Sequence, residues 1–124
     1  MARKPNILFI MTDQQRADHV GFMGNGVVQT PHLDSLAASG CVFENAWVSN
    51  PVCMPNRATI LTGRMPTAHG VIFNDRSLDW HANTFVRQLR ADGYRTALLG
   101  KSHLQHGMSR NAVVDFRGEG AVLP

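Results

Sequence analysis

A chain of 124 residues, 44% hydrophobic and 17% charged, holds enough material for one modest soluble domain with a core of its own. Its formal net charge of +3 is mild and its basic residues are dispersed, which argues against a nucleic-acid partner. Two cysteines, Cys41 and Cys53, make no disulfide framework and favour a reducing compartment. The apolar run Ile7 to Met11 after the basic start is too short for a signal-peptide core or a membrane span. It ends in Thr12-Asp13 instead of a small-residue cleavage site, so a cytoplasmic location and no membrane partner are expected.

Asn6 to Thr12 is continuously apolar and bounded by Pro5 and Asp13, the pattern of a strand buried on both faces of a parallel sheet. Asp13-Gln14 follows at the edge where open α/β sheets place ligands. The Asp13 carboxylate is thus a candidate ligand for a hard cation, with simple loop capping as the plain alternative. Gly21, Gly24 and Gly26 match neither nucleotide fingerprint and read as loop. Thr30 to Gly40 carries helix signals: Thr30 at the N-cap, Pro31 at the first position, Asp34 near the positive end and Gly40 as the stop. Leu33, Leu36 and Ala37 share one face and are expected in the core. Cys41 to Val48 is β-rich and predicts a strand, with Cys41 as a small buried hydrophobe.

Cys53-Met54-Pro55-Asn56-Arg57 opens a second helix, with Pro55 in the first turn and Gly63 just past the end. Cys53 then falls at or beside the N-cap, where free N–H groups and the helix dipole favour an anion. Arg57, four residues on, shares its face. One helical turn therefore offers a potential nucleophile, an anion hole and a cation, against the plain reading of a buried cysteine before an ordinary helix. A thiolate-phosphatase loop is disfavoured, because only three residues separate Cys53 from Arg57 and none is glycine.

His69 reads as structural, and Asn74 as a turn residue before Asp75. Asn83 to Gly93 predicts a further helix capped by Asn83 or Thr84, with an apolar stripe of Phe85, Val86 and Leu89. Tyr94 to Leu99 follows as a second buried strand, completing half of a βαβ unit. Lys101 and His103 lie at its C-terminal end, two residues apart and so on one side of an extended loop.

The segment Cys53 to Arg64 resembles the maturation motif of the sulfatase family. Thr30-Pro31-His32-Leu33-Asp34 is similar to the family's Thr-Pro-x-Leu-Asp, His69-Gly70-Val71 to its His-Gly-Val, and Gly100-Lys101-Ser102-His103-Leu104 to its Gly-Lys-x-His-x. The resemblance runs from about Asn6 to Leu104. It implies an α/β fold: the N-terminal part of an alkaline phosphatase-like mixed, mostly parallel sheet flanked by helices. Residues 1–105 would form that part, and 106–124 a connector to sequence outside this chain. Sulfatases are typically several hundred residues long, so a fragment or a truncated gene is expected.

The resemblance further implies that a formylglycine-generating maturation enzyme oxidises Cys53 to an aldehyde. The substrate would be a small-molecule sulfate ester, with a phosphonate or phosphate ester as the alternative. Arg57 and Lys101 would hold the formylglycine and neutralise charge on the sulfuryl oxygens, and His103 would assist the hydrate's second hydroxyl. Asp13, Gln14 and the modified Cys53 would hold Ca²⁺, or else Mg²⁺ or Mn²⁺. Asp13-Gln14 stands where the family often has an Asp pair; the phosphonate monoester hydrolase-like branch resembles this chain there. Asn74 would aim its amide at a bound oxyanion. The family's second metal-binding pair is not among these residues, so the chain alone is expected to bind metal weakly and turn over nothing measurable. A non-catalytic remnant is the rival reading.

Overall fold

A computed structural model describes residues 4–105 and, as backbone alone, 112–115. The chain divides into two units, Met1–Ala46 and Trp47–Pro124.

In the first unit the apolar run Ile7 to Ile10 is exposed and pairs with no strand among the described residues, Leu8 being 84% exposed. The expected buried strand is therefore corrected. A strand buried on both faces needs neighbours in the same sheet, and the described residues supply none. A 3₁₀ turn, Gly21–Met23, ends on Gly24 with φ 91°. Asn25 Oδ1 accepts from the Val27 and Val28 N–H groups, closing an Asx turn. Helix α1, Pro31–Ser39, starts with Pro31 at its first position.

Thr30 sits at the predicted N-cap, but its hydroxyl does not cap α1. It accepts from the Gly21 N–H at 2.8 Å and donates to Asp34 Oδ1 at 2.9 Å, while Asp34 Oδ1 also accepts from the Phe22 N–H at 2.9 Å. The pair fastens α1 to the 3₁₀ turn, the one element it packs against among the described residues of its unit. Consequently Leu33 and Leu36, expected in the core, are exposed, and Ala37 is half-buried. The strand expected at 41–48 is also absent: Glu44 and Asn45 form a turn, and Cys41 is exposed rather than buried.

The second unit is built on helix α2, Cys53–Thr62. Pro55 is the third helical residue, where no intrahelical N–H is needed, and Gly63 closes the helix with φ 66° and its N–H on the Thr59 carbonyl. Met54 and Ala58, four apart on one face, are fully buried with Val71 and Leu78, and Ala82 and Leu104 pack against them. Burial of a side chain the size of Met54 contributes about 1.5–3 kcal/mol. Helix α3, Pro66–His69, and helix α4, Phe85–Ala91, pack on α2. Thr84 caps α4 through its side chain, accepting from the Arg87 N–H. Within the stripe expected on α4, Val86 and Leu89 are half-buried, whereas Phe85 is 37% exposed.

Strand β1, Ala97–Gly100, pairs with β2, Ala112–Asp115, in an antiparallel ladder with Leu98 opposite Val114. Among the described residues the sheet is two-stranded and antiparallel, so the mostly parallel sheet is not seen within them. The expectation that this strand is buried is corrected: Leu99 is 77% exposed. Val113 and Val114 fall in β2, in the stretch read as a connector; the remainder of 106–124 lies outside the described residues.

Candidate active site

Cys53 is the first residue of α2 and its side chain is half-buried. Of the four N–H groups that a helix start leaves unpaired, three are accounted for. The Val52 N–H donates to Asn50 Oδ1 at 3.0 Å, the Met54 N–H donates to Asn74 Oδ1 at 3.0 Å, and Pro55 has none. Open backbone donors were expected as the anion hole; two asparagine side chains occupy them instead. An anion at this end would meet the dipole and the side chains that approach it more than open backbone donors.

Those side chains come from the loop after β1. Lys101 Nζ lies 3.7 Å from Cys53 Sγ. Arg57 is buried, only 7% exposed, and its Nη1 donates to the Lys101 backbone carbonyl at 2.6 Å. A guanidinium four residues along α2 thus fixes the main chain that carries the lysine. The loop is held again further on: the Leu78 N–H donates to the Leu104 carbonyl at 2.8 Å, and Gln105 Nε2 donates to the Leu78 carbonyl at 2.8 Å. Ser102 is buried between them.

The backbone of this loop is strained. His103 has φ 48°, and Gln14 in the first unit has φ 55°; they are the non-glycine residues with positive φ among those described. Such conformations cost about 1–3 kcal/mol and collect at functional sites. Both positions were singled out from sequence as site residues on other grounds. His103 Nδ1 is shielded from solvent.

Asn74, expected to face a bound oxyanion, has its amide oxygen committed to the α2 N-terminus. The same side chain therefore closes the helix start and leaves its NH₂ end as the part able to donate elsewhere. His69 is structural, as its sequence context predicts. Its Nδ1 accepts from the Val71 N–H at 3.1 Å, so Nε2 carries the proton and donates to Thr59 Oγ1 at 3.0 Å, which also accepts from Ser49 Oγ at 3.0 Å. Burial pushes the His69 imidazole below its ordinary pKa. Sequence reasoning missed Asn50 and the Ser49–Thr59–His69 chain; the Asn50-Pro51 dipeptide, a turn signal, was the available clue to the first.

Asp13 and Gln14 belong to the first unit, and both are exposed on a bend. A carboxylate and an amide carbonyl suit a hard cation in kind. They do not suffice in number: Ca²⁺ takes roughly six to eight oxygens, and no group of three or more His, Cys, Asp or Glu residues able to hold a metal occurs among the described residues. Asp18-His19, the nearby Asp-His pair, is already spent. Arg16 Nε donates to Asp18 Oδ1 at 2.9 Å, Arg16 Nη2 to Oδ2 at 2.5 Å, and His19 Nδ1 lies 2.9 Å from Oδ1. The Arg16 hydrogen bonds hold that carboxyl well below the usual carboxylate range.

A nucleophile-bearing helix start, a lysine aimed at it and a buried arginine that secures the lysine define a candidate site for chemistry on an oxyanionic ester. Comparison with known proteins gives the class. The family described as Sulfatase matches residues 5–120, running through β2. The chain is 44% identical over 109 residues to the ulvan-active sulfatase of Formosa agariphila, covering 88% of this chain and 21% of that protein. It is 41% identical over 102 residues to the arylsulfatase of Clostridium perfringens, covering 82% and 21%. With human steryl-sulfatase it shares 35% identity over 126 residues, covering 93% and 21%. A structure solved in complex with its substrate D-glucosamine-2-N,6-O-disulfate aligns with a TM-score of 0.80 at 36% identity, over 82% of this chain and 21% of that one. The chain belongs to the sulfatase family, and spans about a fifth of the length of the curated relatives it matches. No helix among the described residues is long and apolar enough to cross a membrane.

Proposed function

We propose that this chain carries the nucleophile-bearing part of a sulfatase that hydrolyses sulfate esters through a formylglycine formed from Cys53. The observation that supports this most is the approach of Lys101 Nζ to within 3.7 Å of Cys53 Sγ at the positive end of α2. Arg57 holds Lys101 in place through its carbonyl, so the ammonium is positioned before substrate arrives. Fixed positive charge stabilises an ester most where negative charge grows in the transition state, on the sulfuryl oxygens. When formed, the hydrated aldehyde would supply an oxygen nucleophile and a second hydroxyl whose proton must be removed for sulfate to be released.

His103 is the residue we assign to that second proton. It lies two positions beyond Lys101 on the same pinned loop, in a conformation that an unconstrained histidine avoids. Asn74 holds the helix start through its oxygen and would turn its NH₂ toward the oxyanion. Asp13 and Gln14 would contribute two oxygens to a divalent cation, Ca²⁺ foremost, whose other ligands come from outside this chain; the metal would supply positive charge to the reaction. A sulfated small molecule is the substrate class, in keeping with the disulfated glucosamine bound by the structural relative.

The test is hydrolysis of nitrophenyl sulfate by the complete polypeptide containing this chain, expressed with a maturation enzyme. Cys53→Ala is expected to abolish turnover, and Lys101→Ala to lower kcat by about 10²–10³. Full activity in Lys101→Ala would overturn the role given to Lys101.

A further inference from the structure

The contact between Lys101 Nζ and Cys53 Sγ belongs to the thiol form of the chain, since conversion to an aldehyde removes the sulfur. It is held from both sides. Cys53 is the first residue of a ten-residue helix, which fixes its backbone. Lys101 is carried on a loop fixed by the Arg57 guanidinium and the Leu78–Leu104 and Gln105–Leu78 hydrogen bonds, and bracketed by the left-handed residues Gly100 and His103. An amine kept this near a sulfur is close to attack distance, and tethered nucleophiles gain a large effective molarity over free reagents.

We propose that while Cys53 remains a thiol, hydrogen peroxide closes a reversible sulfur–nitrogen bond between Cys53 and Lys101. The Cys53 thiolate first attacks one peroxide oxygen. The O–O bond breaks, the peroxide is reduced by two electrons and leaves as water after protonation, and the sulfur becomes a sulfenic acid. The Lys101 ammonium gives up a proton to water, the resulting amine attacks that sulfur, the S–O bond breaks, and the hydroxyl departs with one of the amine's protons as a second water. In sum, one thiol, one amine and one peroxide give one sulfenamide and two waters. An added thiol reverses it: attack on sulfur expels the amine, and a second thiol reduces the mixed disulfide.

The bond would shield the cysteine from a second peroxide, which otherwise carries it on to the irreversible sulfinic acid. The proposal concerns the thiol and stands whether or not Cys53 is ever converted to an aldehyde.

The experiment treats the purified thiol-form chain with a small excess of hydrogen peroxide, digests it without reductant and maps the peptides by mass spectrometry. The Cys53 and Lys101 peptides should appear joined, about 2 Da lighter than their sum, and separate again in dithiothreitol. The joined species should vanish in denaturant, where the geometry is lost, and in Lys101→Arg, where dimedone should trap the Cys53 sulfenic acid instead. Cys41, which is exposed, is the internal reference and should not join to lysine. The proposal is overturned if native Cys53 gives only a dimedone adduct, a sulfinic acid, a disulfide with Cys41 or unreacted thiol. Equal cross-linking in denaturant would overturn it as well.

Discussion

Arg57 and Lys101 stand 44 positions apart, and a 2.6 Å hydrogen bond from Arg57 Nη1 to the Lys101 carbonyl joins them. A hydrogen bond made by a charged group contributes about 1.5–3 kcal/mol. Arg57→Ala should therefore destabilise the second unit by about that amount, read as a lower urea midpoint with an unchanged slope. An unfolding curve coincident with that of the unaltered chain would contradict the role given to Arg57.

Asn74 acts on α2 from a distance of 20 positions, as a cap lent by a loop. Asn74→Ala should cost about 1 kcal/mol, the usual worth of a lost N-cap acceptor. Asn74→Asp keeps the acceptor and adds a charge that suits the helix dipole, so stability should be retained. In the complete enzyme the same Asp would repel an anionic ester, so KM for nitrophenyl sulfate should rise although the protein stays folded. If Asn74→Asp unfolds as readily as Asn74→Ala, the capping assignment fails.

His69 gives the chain a pH dependence of fixed sign. Its folded pKa is depressed because burial penalises the imidazolium. Protonation would also remove Nδ1 as acceptor for the Val71 N–H. The unfolded state binds the proton first, so the His69 contribution is complete above the ordinary histidine pKa of about 6.5 and is lost as pH falls below it. Thermal midpoints measured from pH 8 down to 5 should fall across that window, and fall less in His69→Asn. Parallel profiles for the two chains would exclude His69 as the source.

In the first unit, Gly21 lies against the Asp34 carboxylate, and a Cβ at position 21 would collide with it. Asp34 cannot simply swing away, because it accepts from the Phe22 N–H and the Thr30 hydroxyl. Gly21→Ala is expected to cost about 1–3 kcal/mol, as overpacking does. Asp34→Ala should also destabilise, but the double variant should lose less than the two separate losses together, since the collision is gone. Strict additivity in a double-mutant cycle would contradict this packing.

The parts of the fold legible in the sequence were those whose signals are local. Pro55 and Gly63 marked the ends of α2, and Pro31 and Gly40 those of α1, because a missing N–H and a left-handed or terminating glycine act on their own backbone. Thr84 at the start of α4 was legible for the same reason. The strands were not. Ile7 to Ile10 has the composition of a buried strand, yet burial depends on neighbours, and this chain spans about a fifth of the length of its curated relatives. Leu33 and Leu36 failed likewise: their periodicity showed a shared face but not what covers it. In the site, residue types and spacing pointed to Cys53 and Arg57, while Lys101 came from the family resemblance. That Arg57 grips the Lys101 backbone, and that Asn50 and Asn74 consume the helix-start donors, are long-range pairings that no local pattern encodes.

The most direct measurement is the mass spectrum of the peptide containing Cys53, taken from the chain expressed together with a formylglycine-generating enzyme. Loss of the sulfur and appearance of an aldehyde at that one residue, with Cys41 unchanged, is the predicted result. A Cys53 thiol that persists while a control sulfatase in the same cells is converted would contradict the assignment of this helix start as the catalytic one.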